Sequence, residues 1–323
     1  MDINRLKLNG RYSVNNNHYR FYNGGSGFSF RIKGTGFSLL FNSKPINGYF
    51  YVIIDFDYQN KTKVLINEKP YSFSFKDNKE HYVDIIKANE ANDNALELAD
   101  LQVDGELLDY NHTYEKRVKI YGDSTIAGFG ILEKTGGASI HNCDSVRDFC
   151  YHALYELNME MNILSASGYG LVFSAYTCPK NIGIIDYIDK VAVSSNIDWE
   201  DKDKYDLLII SLGCNDQSYI KEEKNHKKEN ILKFKEKYQQ LIDQEIKKNK
   251  DIKILMIYGT LNEKDAYYLN EETYDYLKNM YKNLYIHKFN GDSSAISNHA
   301  YVARHDLMAE ELKTVIKKYF KFR

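Results

Sequence analysis

Proline is nearly absent from this 323-residue chain, at three residues, and tryptophan occurs once. So few prolines exclude a proline-rich segment, and 19 glycines without a period exclude a collagen-like one. No run approaches the roughly 18 apolar residues of a membrane span, and the opening MDINRLKLNGRY lacks the apolar core of a signal peptide. Neither sign of charge dominates: 43 basic against 45 acidic residues leave a formal net charge of −2. That balance offers no electrostatic case for nucleic acid or an anionic membrane as partner. The four cysteines, Cys143, Cys150, Cys178 and Cys214, form no CxxC pair and read as free buried thiols. His141, Cys143, Cys150 and His152 match no standard zinc spacing. The glycines at 122, 128 and 130 come without the Lys-Ser/Thr of a P-loop or the order of a dinucleotide site. No metal and no organic cofactor is therefore expected.

What is present is an ordinary globular composition, 43% hydrophobic and 27% charged, long enough to bury a sizeable core. Length alone suggests two domains, and the periodicity divides the chain near residue 112. Before that point apolar residues alternate with period two in RYSVNN, HYRFYN, GFSFRIKG, GFSLLFNS, YFYVIIDFDY, TKVLINE and YSFSFKD. Gly24-Gly25, Gly34, Gly36 and Asp77-Asn78 punctuate them. Many short strands without helices argue for an antiparallel sandwich or jelly roll.

From about Val118 the pattern changes. VKIYG, MNILSAS, DLLIISLG, IKILMIYG and LYIHKF read as buried strands. CDSVRDFCYHALYELN, the stretch bearing Ile231, Phe234, Tyr238, Leu241, Ile242 and Ile246 on one face, Glu272–Lys282 and Val302–Tyr319 read as helices. Alternation of this kind gives a parallel sheet with helices on both faces. Ligands bind such sheets outside the carboxyl ends of the strands, so the chemistry belongs in the loops after VKIYG, MNILSAS and DLLIISLG.

Those loops carry Gly122-Asp123-Ser124, Ser167-Gly168 and Gly213-Cys214-Asn215-Asp216, and Ser297-Asn298-His299 stands just before the last helix. A hydroxyl nucleophile, an imidazole to take its proton and donors for an oxyanion are what acyl transfer needs. A glycine N–H and a carboxamide serve as such donors because neither has to change charge.

In these blocks the sequence resembles the SGNH (GDSL-type) hydrolase superfamily: Gly-Asp-Ser at 122–124, Gly168, Gly213-x-Asn215-Asp216, and His299 within NHAYVARHDLMAEEL. The N-terminal segments RFYNGGSGFSFRIKGTGFSLLF and HYVDIIKANEANDNALELADLQVDGELL are similar to the jelly-roll domain of the second carbohydrate esterase family. The resemblance implies an all-β jelly-roll sandwich over residues 1–112 and a three-layer α/β SGNH domain with a flavodoxin-like parallel sheet over 113–323. It makes Ser124 the nucleophile and His299 the general base. The N–H groups of Ser124 and Gly168 and the side chain of Asn215 become the oxyanion hole. Asp123 and Asp216 hold loops, and His305, inside the last helix, has a structural part.

The sequence departs from the family pattern behind the histidine. Positions 296 and 297, where an orienting Asp is usual, are Ile and Ser, and the usual Pro after the His is Ala300. A backbone carbonyl, Ser297 or Asp292 is left to orient the ring, and a Ser–His dyad is expected. The activity implied is removal of acetyl groups from sugar hydroxyls, with an acetylated carbohydrate as substrate partner. The alternatives are an O-acetyltransferase of polysaccharide assembly and a carbohydrate-binding protein that has lost catalysis. Trp199 is a candidate sugar platform, because an indole face suits a pyranose, with partial core burial as its plain alternative. A cytoplasmic location is expected, or a secreted one if an export signal precedes Met1. Oligomeric state is unreadable from the residues.

Overall fold

The computed structural model describes residues 5–320 apart from 17, 43–47, 68, 92–94, 176, 177, 180 and 262–267, and apart from the side chain of Lys224. Its first part is antiparallel: β1 (Lys7–Asn9), β2 (Tyr12–Asn15), β3 (His18–Phe21), β4 (Gly27–Phe41), β5 (Tyr49–Ile54), β6 (Thr62–Leu65), β7 (Tyr71–Ser74), β8 (Glu80–Lys87) and β9 (Leu96–Leu108). GFSFRIKG and GFSLLF are one 15-residue strand, not two. Pairing of β4 with β9 shifts register between Gly34 and Gly36, so the chain bends without a turn. One half of β4 pairs with β1 and β8, and the other with β7, which lets a single strand serve two layers. Their inner faces enclose Phe21, Phe28, Phe30, Phe37, Phe41 and Phe50.

The second part is a five-stranded parallel sheet in the order β11-β10-β12-β13-β14. Its strands are β10 (Lys116–Gly122), β11 (Met159–Ser165), β12 (Leu207–Ser211), β13 (Lys253–Tyr258) and β14 (Leu284–Lys288). The first strand thus lies between the second and third, and the order reverses there, the flavodoxin-like switch point at which α/β sheets open a crevice. Alternate residues of the central strands enter opposite cores. Ile120, Ile209 and Leu255 face α1 (Phe149–Glu156) and α5 (Val302–Phe320). Tyr121, Ile210 and Met256 face α2 (Cys214–Glu222), α3 (Lys227–Lys248) and α4 (Tyr268–Leu277). No helix among the described residues is long and apolar enough to cross a membrane.

The first helix is shorter than the period-3.6 pattern predicts. Asp148 stops it, because its carboxylate accepts the N–H groups of Cys150 and Tyr151 and so caps a helix that begins at Phe149. The preceding residues form a loop around buried Asp144, which accepts from Val146 N–H and from the Tyr51 hydroxyl, and pairs with Lys63.

Tyr51 and Lys63 come from the β-domain, and the seam between the two parts is built of such contacts. Tyr51, Ile53, Tyr58, Ile86 and Ala88 share one core with Phe149, Tyr151 and Ile163. Arg11 is fully buried; its guanidinium donates to Asn162 and to the carbonyls of Ile188 and Lys190. Gly24 packs so closely that a Cβ there would meet Ser145 Oγ at 2.0 Å. Ser145 N–H in turn donates to Ala88 O at 2.7 Å, and Ser167 N–H donates to Glu90 at 2.8 Å. The β-domain thereby fixes loops that lead to the carboxyl rim of the sheet.

Candidate active site

Strand β10 ends at Gly122, and the next residues coil tightly. Asp123 is buried and accepts both the N–H and the hydroxyl of Thr125, at 3.0 and 2.7 Å. Phe129 N–H bonds to Ser124 O at 3.0 Å. Such an Asx-type turn presents the Ser124 side chain at the rim of the sheet. Its hydroxyl meets His299 Nε2 at 2.7 Å.

His299 arrives from the far end of the chain on a turn ahead of α5. Ser297 and Asn298 both adopt left-handed backbone, at φ 52° and 63°. This turn bends two carbonyls back over the ring, and Nδ1 lies 3.1 Å from Ile296 O and 3.1 Å from Ser297 O. Both neighbours only accept, so Nδ1 carries the proton and donates. Nε2 is then left with its lone pair toward Ser124. Of the three orienting groups the sequence leaves open, the structure uses main-chain carbonyls. The Asp292 carboxylate instead caps its own loop on Ser294 N–H and hydroxyl. Burial pushes the His299 pKa down, with the two carbonyl contacts opposing it. Phe129 covers the ring, with centroids 5.1 Å apart.

The third wall comes from α2. Gly213, at φ 124°, turns the chain from β12 into the helix; a Cβ there would also meet the Asn270 side chain at 2.6 Å. Asn215 Nδ2 donates to Tyr169 O at 3.1 Å, which leaves a second amide N–H for another acceptor. Its neighbour Asp216 is fully buried and accepts the N–H groups of Leu171, Val172 and Phe173, each at 2.8 Å. Burial raises the Asp216 pKa to about 6, with the three N–H groups pulling the other way. Consecutive residues of one helix thus clamp the segment that follows Gly168, itself at φ 81°. Asp216 acts on the loop, as the sequence suggests, and so does Asp123.

Ser124, Asn215 and His299 meet in one cavity of about 250 Å³, also lined by Asp123, Ala175, Cys214, Ser218, Tyr219, Glu222, Leu261 and Ser297. Sequence reasoning missed Ser218, Tyr219 and Glu222. The signal was available, because Ser218 follows Cys214 by four, Tyr219 follows Asn215 by four, and Glu222 follows Asn215 by seven, on one helix face. Tyr219 supplies the aromatic wall and stacks on Phe173 at 4.7 Å with rings 3° from parallel.

Trp199 is not brought to this cavity. It lies in a separate groove with Tyr12, Glu160, Met161 and Asn162, near the amino ends of the parallel strands, its ring 5.3 Å from that of Tyr12. The loop bearing it precedes β12, whereas Asn215 and the cavity wall follow β12, so the strand itself separates the two. His305 is buried in α5, and its Nδ1 accepts the N–H of Phe149 at 3.1 Å.

The five-stranded parallel sheet carries Ser124, Asn215 and His299 to one cavity beyond its carboxyl rim, with Gly168 in the loop after β11. Residues 8–110 match the family model of the carbohydrate esterase 2 N-terminal domain. Among solved structures, a family two carbohydrate esterase from Clostridium thermocellum in complex with cellohexaose is 21% identical, covering 98% of this chain and 100% of its own at a TM-score of 0.84. The family two carbohydrate esterase of Cellvibrio japonicus is 17% identical over 98% of this chain and 96% of its own, at 0.83. An acetyl xylan esterase from the rumen bacterium Butyrivibrio proteoclasticus is 15% identical over 100% of this chain and 97% of its own, at 0.84. No curated protein sequence matches. Residues 8–110 thus match the carbohydrate esterase 2 N-terminal model, and the whole chain has the two-domain fold of the family two carbohydrate esterases.

Proposed function

We propose that the protein is a carbohydrate O-acetyl esterase working through Ser124 and His299. The observation that carries this reading is the 2.7 Å contact between Ser124 Oγ and His299 Nε2, with the opposite nitrogen held by two carbonyls. His299 takes the Ser124 proton as Oγ attacks the ester carbonyl. The tetrahedral oxyanion is received by the backbone N–H groups of Ser124 and Gly168 and by the free amide N–H of Asn215. Collapse releases the sugar alcohol, which leaves with the proton from the imidazolium, and an acetyl group stays on Ser124. Water then attacks under the same base and frees acetate. Every proton moves between Ser124, His299 and the substrate or water, so the cycle needs no further group. A sugar hydroxyl in place of water at the second step would give transacetylation on the same site.

The cavity's only charged lining residue besides buried Asp123 is Glu222, among the described residues. That suits a hydroxylated neutral substrate better than an anionic one. Hydrolysis of p-nitrophenyl acetate and of acetylated xylan tests the reading. Ser124→Ala and His299→Ala are each expected to lower turnover by about 10³-fold or more. Equal acetate release by wild type and Ser124→Ala would refute it.

A further inference from the structure

At the other end of the parallel sheet lies a groove larger than the catalytic one, about 350 Å³, in the seam between the two domains. We infer that this groove is a second binding site, separate from the Ser124 cavity, for a neutral polysaccharide that packs on Trp199. The inference concerns non-catalytic binding and stands whether or not Ser124 turns over esters.

The walls of the groove combine two kinds of surface. Tyr12, Trp199 and Tyr205 supply aromatic area, with Leu6, Leu8 and Met161 beside them. The indole is half-buried, held edge-on to Tyr12 at an interplanar angle of 72°, and still lines the opening. Its Nε1–H is enclosed and meets no acceptor among the described residues. The ring therefore offers its hydrocarbon surface, which is what the C–H face of a pyranose packs against.

The rim is charged, but the charges are matched. Lys7 pairs with Glu160 and Lys202 with Glu200 at 3.0 Å, and Arg117, which stands outside the lining, pairs with Glu160 at 2.7 Å and Asp203 at 2.9 Å. Such paired groups offer donors and acceptors to hydroxyls without a net field that would select an ion. Aromatic surface under a neutralised polar rim fits an uncharged sugar polymer better than an acidic peptide, a phosphate or a lipid surface.

The groove cannot be an extension of the cleft around Ser124. It is lined by Glu160, Met161 and Asn162, at the start of β11, in register with Arg117 to Lys119. Ser124 lies beyond Gly122, at the opposite end of the strand, roughly 17 Å of strand away. A long polymer held at one point raises the local concentration of its acetyl groups at the other, without any new contact in the cleft.

Because the chain has one tryptophan, its emission reports on this groove alone. The Ser124→Ala protein is titrated with xylan, glucomannan and mixed-linkage β-glucan while emission and acrylamide quenching are followed. At least one polymer is expected to change the emission saturably and to shield the indole from quencher. By isothermal titration calorimetry, which needs no fluorophore, Trp199→Ala in the same background should bind that polymer about tenfold more weakly, whereas Tyr219→Ala, in the Ser124 cavity, should leave the Trp199 signal in place. If Trp199→Ala does not fold, Trp199→Phe replaces it in the affinity comparison. Failure of all three polymers to alter Trp199 emission overturns the inference, as does undiminished binding by a folded variant lacking the indole.

Discussion

Two groups around the Ser124 cavity are held still, and the chain holds them by different means. The wall after Gly168 is fixed by an acid: Asp216, fully buried, gathers three consecutive backbone N–H groups at 2.8 Å. The imidazole of His299 is fixed by neutral carbonyls of Ile296 and Ser297, both at 3.1 Å. The buried carboxylate thus stands under the wall that carries Asn215 and not behind His299. Backbone donors are what Asp216 organises, and a carboxylate is suited to that because it accepts several N–H bonds at once. A carbonyl pair sets the tautomer and the tilt of the histidine without a full negative charge, and so stabilises the imidazolium less than an acid would. The difference teaches that orientation and charge compensation are separable duties, and that here the base receives chiefly the first.

Breaking the Asn215 side should have the larger effect. Asn215→Ala removes one donor and also the tether to Tyr169 O, so turnover on p-nitrophenyl acetate is expected to fall about 10²–10³-fold with KM little changed. A loss confined to KM would show that Asn215 binds substrate without favouring the transition state. Asp216→Asn acts one step further back. The amide oxygen can still accept, but its NH₂ must face an N–H of the 171–173 segment, which leaves a buried donor unpaired. Stability should drop by about 1–3 kcal/mol in thermal or urea unfolding, and turnover by about tenfold as the Gly168 loop loosens. Unchanged unfolding would mean the three contacts are dispensable.

Much of this was legible in the sequence, for a reason that the residues themselves show. Ser124, Gly168, Asn215 and His299 each stand where a strand ends or a helix is about to begin, so periodicity located the loops, and the resemblance to the SGNH superfamily picked out the residues within them. The two-strand reading of residues 27–41 missed one bend, because a bulge at Gly34 and Gly36 and a true turn carry the same glycine signal. Trp199 stands in sequence before the strand that becomes β12, at the end away from Asn215, and residue type alone does not tell a sugar platform from partial core packing. The orientation of His299 was out of reach for a different reason. Main-chain carbonyls are present at every position, and only the left-handed turn at Ser297 and Asn298 aims two of them at the ring. Nor does any alternation in residues 1–112 announce that Arg11 is destined for a pocket in the other domain.

The acid limb of the pH profile probes the histidine side of the comparison. Burial lowers the His299 pKa, so the ring is neutral at pH 7 and stays so into mild acid. The limb of kcat/KM is therefore expected below the ordinary histidine value of about 6.5. Stability follows the same sign: the contribution of neutral His299 is full above about pH 6.5 and is lost as pH falls through the lowered pKa of the folded chain. A limb above 6.5 would place an unrecognised negative charge beside the ring.

Supplying that charge deliberately is the finest test of whether orientation and compensation are separate. Ser297→Asp puts a carboxyl two residues before the base, on the rim of the same cavity, at a left-handed position that Asp tolerates better than most residues. The carbonyl of residue 297 is kept, so the ring should hold its tilt while gaining a counter-charge. The acid limb is expected to move up by about one pH unit, with the plateau of kcat changed by no more than a few-fold. A shifted limb with an unchanged plateau would show that the two carbonyls already orient His299 fully and that an acid adds only to its basicity. A large rise in the plateau would show instead that two carbonyls leave the imidazole short of its productive tilt, and that the two duties are not separable in this fold.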